Sequence, residues 1–178
     1  MMKVYLIGFM GSGKSFLGRQ LASQLELDFL DLDEQIEKKA GMAISQIFER
    51  YGEDHFRELE QTVLQETKES ARTIISTGGG APCFFNNMEW MNQQGLTIYL
   101  QTTPTLLADR LRSEMAHRPL LAHLSTTELI QFIEDKVASR TDFYEQAHII
   151  WTQDHDNQSD WSDLIEKIRA RLFDPDKI

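Results

Sequence analysis

Residues Gly8 to Ser15 read Gly-Phe-Met-Gly-Ser-Gly-Lys-Ser, a complete G-x-x-x-x-G-K-[ST] pattern set between an apolar run at 3–7 and a helical pattern. Glycine reaches torsions closed to other residues, so successive N–H groups of Gly11, Ser12 and Gly13 can converge on phosphate oxygens at the positive end of the following helix. In such a loop Lys14 is expected to reach the β- and γ-phosphates of a nucleotide, and Ser15 to ligate Mg²⁺. Phe16, the next residue, belongs to the same nucleotide-binding set. The alternative is a glycine-rich strand-to-helix turn that binds nothing.

Such a loop defines a phosphoryl donor and leaves the acceptor open, because GTPases, ATPases and small-molecule kinases share it. Four further groupings could open into the same cleft. In Asp31-Leu32-Asp33 the two carboxylates, at i and i+2, point to one face of a strand. One could hold a Mg²⁺-bound water while the other receives a substrate hydroxyl or its proton; otherwise this is a solvated turn with Asp33 capping the next helix. In Phe56-Arg57-Glu58-Leu59-Glu60, Arg57 and Glu60 are neighbours on one helical surface. Glu60 can fix the guanidinium and leave its other donors to grip a carboxylate, or the two form an ordinary surface ion pair. Gly78-Gly79-Gly80 removes side chains from the end of an apolar strand, which lets backbone N–H groups approach a ligand or simply makes a flexible connector. The last grouping is basic: Arg110 on a helix, Arg118 in a proline-containing segment, and Arg140 near a helix end before Phe143-Tyr144. A flap arginine can close over phosphates and neutralise charge developing on the transferred group, whereas any arginine taken singly more often solvates a surface.

These residues need elements to carry them. Short apolar runs at 3–7, 28–32, 73–77, 96–100 and 148–152 alternate with helical spacing at 14–25, 34–39, 44–51, 54–70, 86–93, 104–112, 126–141 and 161–173. Alternation of this kind predicts a parallel sheet covered on both faces, with ligands at the carboxyl ends of the strands. The segment 113–125 has a central proline and no periodicity, which suits a mobile lid or a packed surface loop.

The 178 residues suffice for one domain with its own core. A formal charge of −10 disfavours nucleic acid and anionic membranes as partners, so an anionic substrate must be met by locally gathered arginines. The single cysteine, Cys83, excludes an internal disulfide and fits a reducing compartment. The 5 histidines lack ligand spacing for a transition metal. The apolar stretch before Gly8 is shorter than a signal-peptide core or a membrane span, so a cytoplasmic protein is expected. No heptad or long apolar edge is visible, and a monomer is expected. D-x-x-G and N-K-x-D segments, which a GTPase-type switch would carry, do not occur.

Taken together, the chain resembles the shikimate kinases over nearly its whole length. The resemblance is carried by the 8–15 loop with Gly18 and Leu21-Ala22, Asp31-x-Asp33, Phe56-Arg57-x-x-Glu60, Gly78-Gly79-Gly80, Arg118-Pro119-Leu120-Leu121, and Arg140 ahead of Tyr144. Related gluconate and adenylate kinases share the loop without the F-R-x-x-E and triple-glycine set. The resemblance implies a P-loop NTPase type three-layer α/β/α fold with a five-stranded parallel sheet, similar to nucleoside monophosphate kinases. It implies one kinase domain over 1–178, with a substrate-binding helical subregion at 34–71 and a mobile lid at 113–125.

It also implies ATP-dependent phosphorylation of the 3-hydroxyl of shikimate, a step of aromatic amino acid biosynthesis, with Mg²⁺. By that resemblance Arg57, Arg140, Gly79 and Gly80 hold shikimate, with Asp33 on its hydroxyls as general base or positioning group. Lys14 and Arg118 stabilise charge, Ser15 and Asp31 form the Mg²⁺ shell, Glu60 orients Arg57, and Arg110 takes the adenine-stacking position. One region departs from the family. Its members commonly carry a proline in the adenine-contacting loop after the last strand, whereas 153–159 here is polar, acidic and proline-free. The competing readings are a kinase of another polyol acid such as gluconate, and a nucleotide-binding module without transfer.

Overall fold

The computed structural model describes residues 2–112, 125–153 and 161–173. Five parallel strands form one sheet: β1 (Lys3–Ile7), β2 (Asp28–Asp31), β3 (Thr73–Ser76), β4 (Leu96–Thr102) and β5 (Ile149–Gln153). Their order across the sheet is β2-β3-β1-β4-β5. This is the five-stranded parallel sheet of the sequence-based expectation. β1 is buried along its whole length, which its near-continuous apolar sequence requires of a central parallel strand.

Successive side chains of β1 point to opposite faces and nucleate two cores. Val4 and Leu6 pack with Leu17, Leu21, Ile98, Leu164 and Ile168 on one side. Tyr5 and Ile7 pack with Ile36, Val63, Leu64, Ile75, Met91 and Tyr99 on the other. The helices of the first layer are α1 (Lys14–Leu25) and α8 (Ser162–Phe173). The second layer is built from α2 (Leu32–Ala40), α3 (Ile44–Glu66), α4 (Asn87–Gln94) and the single turn α7 (Thr141–Tyr144). A smaller core, with Phe9, Leu107, Leu111, Leu129 and Ile133, joins α5 (Pro104–Arg112) and α6 (Thr126–Ala138) beyond the sheet edge. Among the described residues no helix is long and apolar enough to cross a membrane.

Several boundaries differ from the expected ones, each for a local reason. The helices expected at 44–51 and 54–70 are one element kinked at Gly52, whose φ of 81° and ψ of 176° are non-helical; a 3₁₀ turn at Thr67–Glu69 follows. The helix expected at 126–141 stops at Ala138, and Thr141 starts α7 instead. α2 begins at Leu32, directly after β2, because the Asp31 carboxylate accepts the Asp33 N–H (3.1 Å). The cap is therefore Asp31 and not Asp33.

All strands run the same way, so their carboxyl ends share one edge. From β1 the chain crosses one way, through α1 to β2, and from β3 it crosses the other way, through α4 to β4. The crevice where crossovers diverge is the expected ligand edge of such a sheet. Gly8 to Gly13 lie there, immediately after β1.

Candidate active site

The glycine-rich loop places Gly11 and Gly13 at φ of 80° and 86°, backbone that side-chain-bearing residues rarely adopt. Gly13 is the N-cap of α1, so the positive end of that helix opens where the loop ends. Lys14 is almost buried (8% exposed), and its Nζ donates to the carbonyls of Gly8 (2.9 Å) and Phe9 (3.0 Å). The ammonium is thus folded over its own loop. A cleft of about 490 Å³ opens here, lined by residues 11–16, Asp33, Ser76, Thr77, Gly79, Arg110, Gln153 and Trp161.

At the floor of the cleft the Ser15 hydroxyl donates to Asp31 Oδ2 (2.5 Å) and lies 3.2 Å from Ser76 Oγ. All donors at this spot are hard oxygens. Mg²⁺ favours one or two such protein ligands, with water and substrate phosphates completing its octahedron. Ser15 and Asp31 fit that demand. Among the described residues there is no group of three or more His, Cys, Asp or Glu that could cage a metal by itself.

Past Gly78 the site changes character. Arg57 is held by Glu60 Oε2 (2.7 Å) and Glu53 Oε1 (3.1 Å) on α3, and its guanidinium lies over the Phe84 ring at 4.1 Å. Those contacts leave only 11% of the Arg57 side chain exposed and 1% of Glu60. Burial pushes the Glu60 carboxyl above the usual glutamate range, and the Arg57 charge opposes this without cancelling it. Both Asp33 and Arg140 also act on Glu60 electrostatically, so these groups share one neighbourhood.

The triple glycine brings the two halves together. A Cβ on Gly78 would sit 2.6 Å from Glu60 Oε1 and 3.1 Å from Asp33 Oδ1; one on Gly80 would sit 2.7 Å from Arg57 Nη1. A side chain at either position would have to displace the Glu60 carboxylate or the Arg57 guanidinium. The Gly79 carbonyl accepts from the Tyr144 hydroxyl (2.6 Å) and Arg140 Nη1 (3.3 Å), which ties α7 to the loop after β3. Burial raises the pKa of that Tyr144 hydroxyl, which therefore stays protonated and donates.

Lys14, Ser15, Asp33, Gly79 and Arg110 all line the one cleft, with Asp31 beneath it. Arg57, Glu60 and Arg140 do not line it; they stand directly behind Gly78–Gly80. Gly80 lies beside Arg57, outside the lining. Arg118 lies outside the described residues, with the expected lid except Ser125 and with 154–159 of the departing loop.

Sequence reasoning missed two side chains. Gln153 ends β5, is 4% exposed, donates to the Ser12 carbonyl (3.1 Å) and accepts from Arg110 Nη1 (3.0 Å). Ser76 ends β3. The one available signal was position, since both residues finish a strand on the ligand edge.

Known proteins resemble the chain in sequence and in fold. The family model described as shikimate kinase matches residues 10–171. A shikimate kinase of Bacteroides fragilis is 40% identical over 173 residues, covering 97% of both chains. One from Parabacteroides distasonis is 46% identical over 149 residues, covering 84% of this chain and 86% of that one. The crystal structure of shikimate kinase from Bacteroides thetaiotaomicron superposes with a TM-score of 0.84 at 39% identity, covering 99% of each chain. Shikimate kinase from Acinetobacter baumannii, in complex with shikimate, gives a TM-score of 0.83 at 35% identity, covering 98% of this chain and 94% of that one. A family model spanning most of the chain, relatives at this identity and solved structures of the same fold lead to one assignment: the chain belongs to the shikimate kinase family.

Proposed function

We propose that this chain transfers the γ-phosphoryl group of ATP to the 3-hydroxyl of shikimate, giving shikimate 3-phosphate and ADP, within aromatic amino acid biosynthesis. The observation that carries the reading is the junction at Gly78–Gly80. Asp33 and Gly79 line the cleft of Lys14 and Ser15, while Arg57 lies against Gly80 and Arg140 donates to the Gly79 carbonyl. This proximity supports reading the loop as a phosphate cradle and the two arginines as a carboxylate grip beside it.

The amides of Gly11 to Lys14 take the phosphates, and Lys14 exchanges its two loop carbonyls for phosphate oxygens. Arg57, preset by Glu60 and Glu53, and Arg140 grip the shikimate carboxylate with Gly79 and Gly80. Asp33 receives the hydrogen bond of the reacting hydroxyl and aims it at the phosphorus; a loose transition state asks for little deprotonation. Ser15 and Asp31 hold Mg²⁺, which when bound neutralises phosphate charge. Phe16 and Arg110 serve the nucleoside end of the cleft, and Arg118 supplies a further cation from the lid. Catalysis is then mainly orientation and electrostatics. The chain acts as a monomer in the cytoplasm on small anions, with neither nucleic acid nor membrane as partner; its charge of −10 supports this.

A coupled ADP-release assay with shikimate, gluconate or no acceptor tests the reading. Turnover is expected with shikimate alone. Equal turnover with gluconate would move the reading to another polyol acid, and acceptor-independent turnover to a hydrolase.

A further inference from the structure

Ser76 has no part in the roles set out above, yet it is 2% exposed and lies at the base of the phosphate cleft. The parallel register of β2 and β3 pairs it with Asp31, so both side chains rise from the same face of the sheet. The proton count at this spot is closed. Asp31 Oδ1 accepts the Asp33 N–H (3.1 Å), and Asp31 Oδ2 accepts the only proton of the Ser15 hydroxyl (2.5 Å). The 3.2 Å contact between the two serine oxygens is therefore donated by Ser76, onto a lone pair of Ser15. Among the described residues Ser76 Oγ has no other hydrogen-bond partner.

With its proton on Asp31, Ser15 has two lone pairs with which to ligate a cation: the one Ser76 holds, once Ser76 turns away, and a second. We propose that Ser76 is a positioning residue for the divalent cation: it holds Ser15 in ligating orientation while the site is empty, then turns to the cation's water shell. The proposal rests on the kinase reading above. A serine serves here because its hydroxyl both donates and accepts. It can give its proton to Ser15 in one state and accept one from a metal-bound water in the other. Groups one shell out from a metal commonly set its affinity by orienting the ligands.

The test uses Mn²⁺ as the probe, followed by its electron paramagnetic resonance signal in the presence of ADP, with metal-free ADP affinity measured separately in a chelator. Ser76→Ala is expected to weaken Mn²⁺ binding about tenfold and leave metal-free ADP affinity unchanged. Ser76→Thr, which keeps the hydroxyl, is expected to bind Mn²⁺ within about threefold of the unchanged chain, short of the roughly tenfold at which outer-shell losses begin. Wild-type Mn²⁺ affinity in Ser76→Ala would overturn the proposal. So would equal loss of metal-free ADP binding, which marks a structural role, or a threonine variant as weak as the alanine one. If the unchanged chain itself took up no Mn²⁺ with ADP, the kinase reading would fall along with this one.

Discussion

Glu60 has one carboxylate oxygen on Arg57 and the other, Oε1, buried with no hydrogen-bond partner among the described residues. Leaving a buried acceptor unmatched costs stability, and it explains why burial wins over the Arg57 charge in raising this carboxyl. A group whose folded pKa is raised favours the fold most below its unfolded value, and that contribution is lost as pH climbs through the folded value. Urea unfolding of the unchanged chain should therefore lose stability upward from about pH 4.5, the ordinary glutamate value, and Glu60→Gln should flatten that slope. Arg57→Ala removes the charge facing this carboxylate. It should raise the KM for shikimate at least tenfold (about 1.4 kcal/mol) with ATP affinity nearly intact, and lower stability by about 3 kcal/mol. Equal loss of both substrate affinities in steady-state assays would contradict the clamp. The spacing of Arg57 and Glu60 made their pairing legible in the sequence. Ser76 and Gln153 were not legible, because a lone serine or glutamine gains chemical meaning only from what the sheet places beside it.

Elements were legible where the apolar period was strong, and their ends were not, because ends are set by side chains that reach across the fold. The tail of α3 is an example. Lys3, the first residue of β1, sends Nζ to the carbonyls of Thr67 (3.2 Å) and Lys68 (2.7 Å), closing a helix end 64 residues away. No local pattern announces such a cap. Lys3→Met should cost about 1–3 kcal/mol in urea unfolding, by removing the donor to the Lys68 carbonyl and one of the two donors to the Thr67 carbonyl, and leave the KM for shikimate unchanged. Gly18 makes the same point inside α1, where a Cβ would sit 2.5 Å from Phe29 Cε2 and 3.1 Å from Leu6 Cδ1. Gly18→Ala is expected to cost about 1–3 kcal/mol by overpacking the contact of α1 with β2, read as a lowered thermal midpoint.

At the scale of the whole molecule, a net charge of −10 works against both compactness and the capture of anions. Screening relieves the first effect. Raising NaCl from low to moderate concentration should increase stability by about 1 kcal/mol, or roughly 2–4 °C in thermal midpoint by calorimetry. A falling midpoint would show that close ion pairs outweigh the overall repulsion. The strand order has a different kind of consequence. β1 bonds to β3 and β4, and β2 meets the sheet only through β3, so nothing synthesised before residue 73 completes a strand pair. A chain still emerging from the ribosome therefore carries its phosphate loop on an apolar segment without partners, the stage at which holdase chaperones and proteases compete for it. Mutations that slow the arrival of β3 would then lower cellular yield while leaving the purified enzyme's turnover untouched.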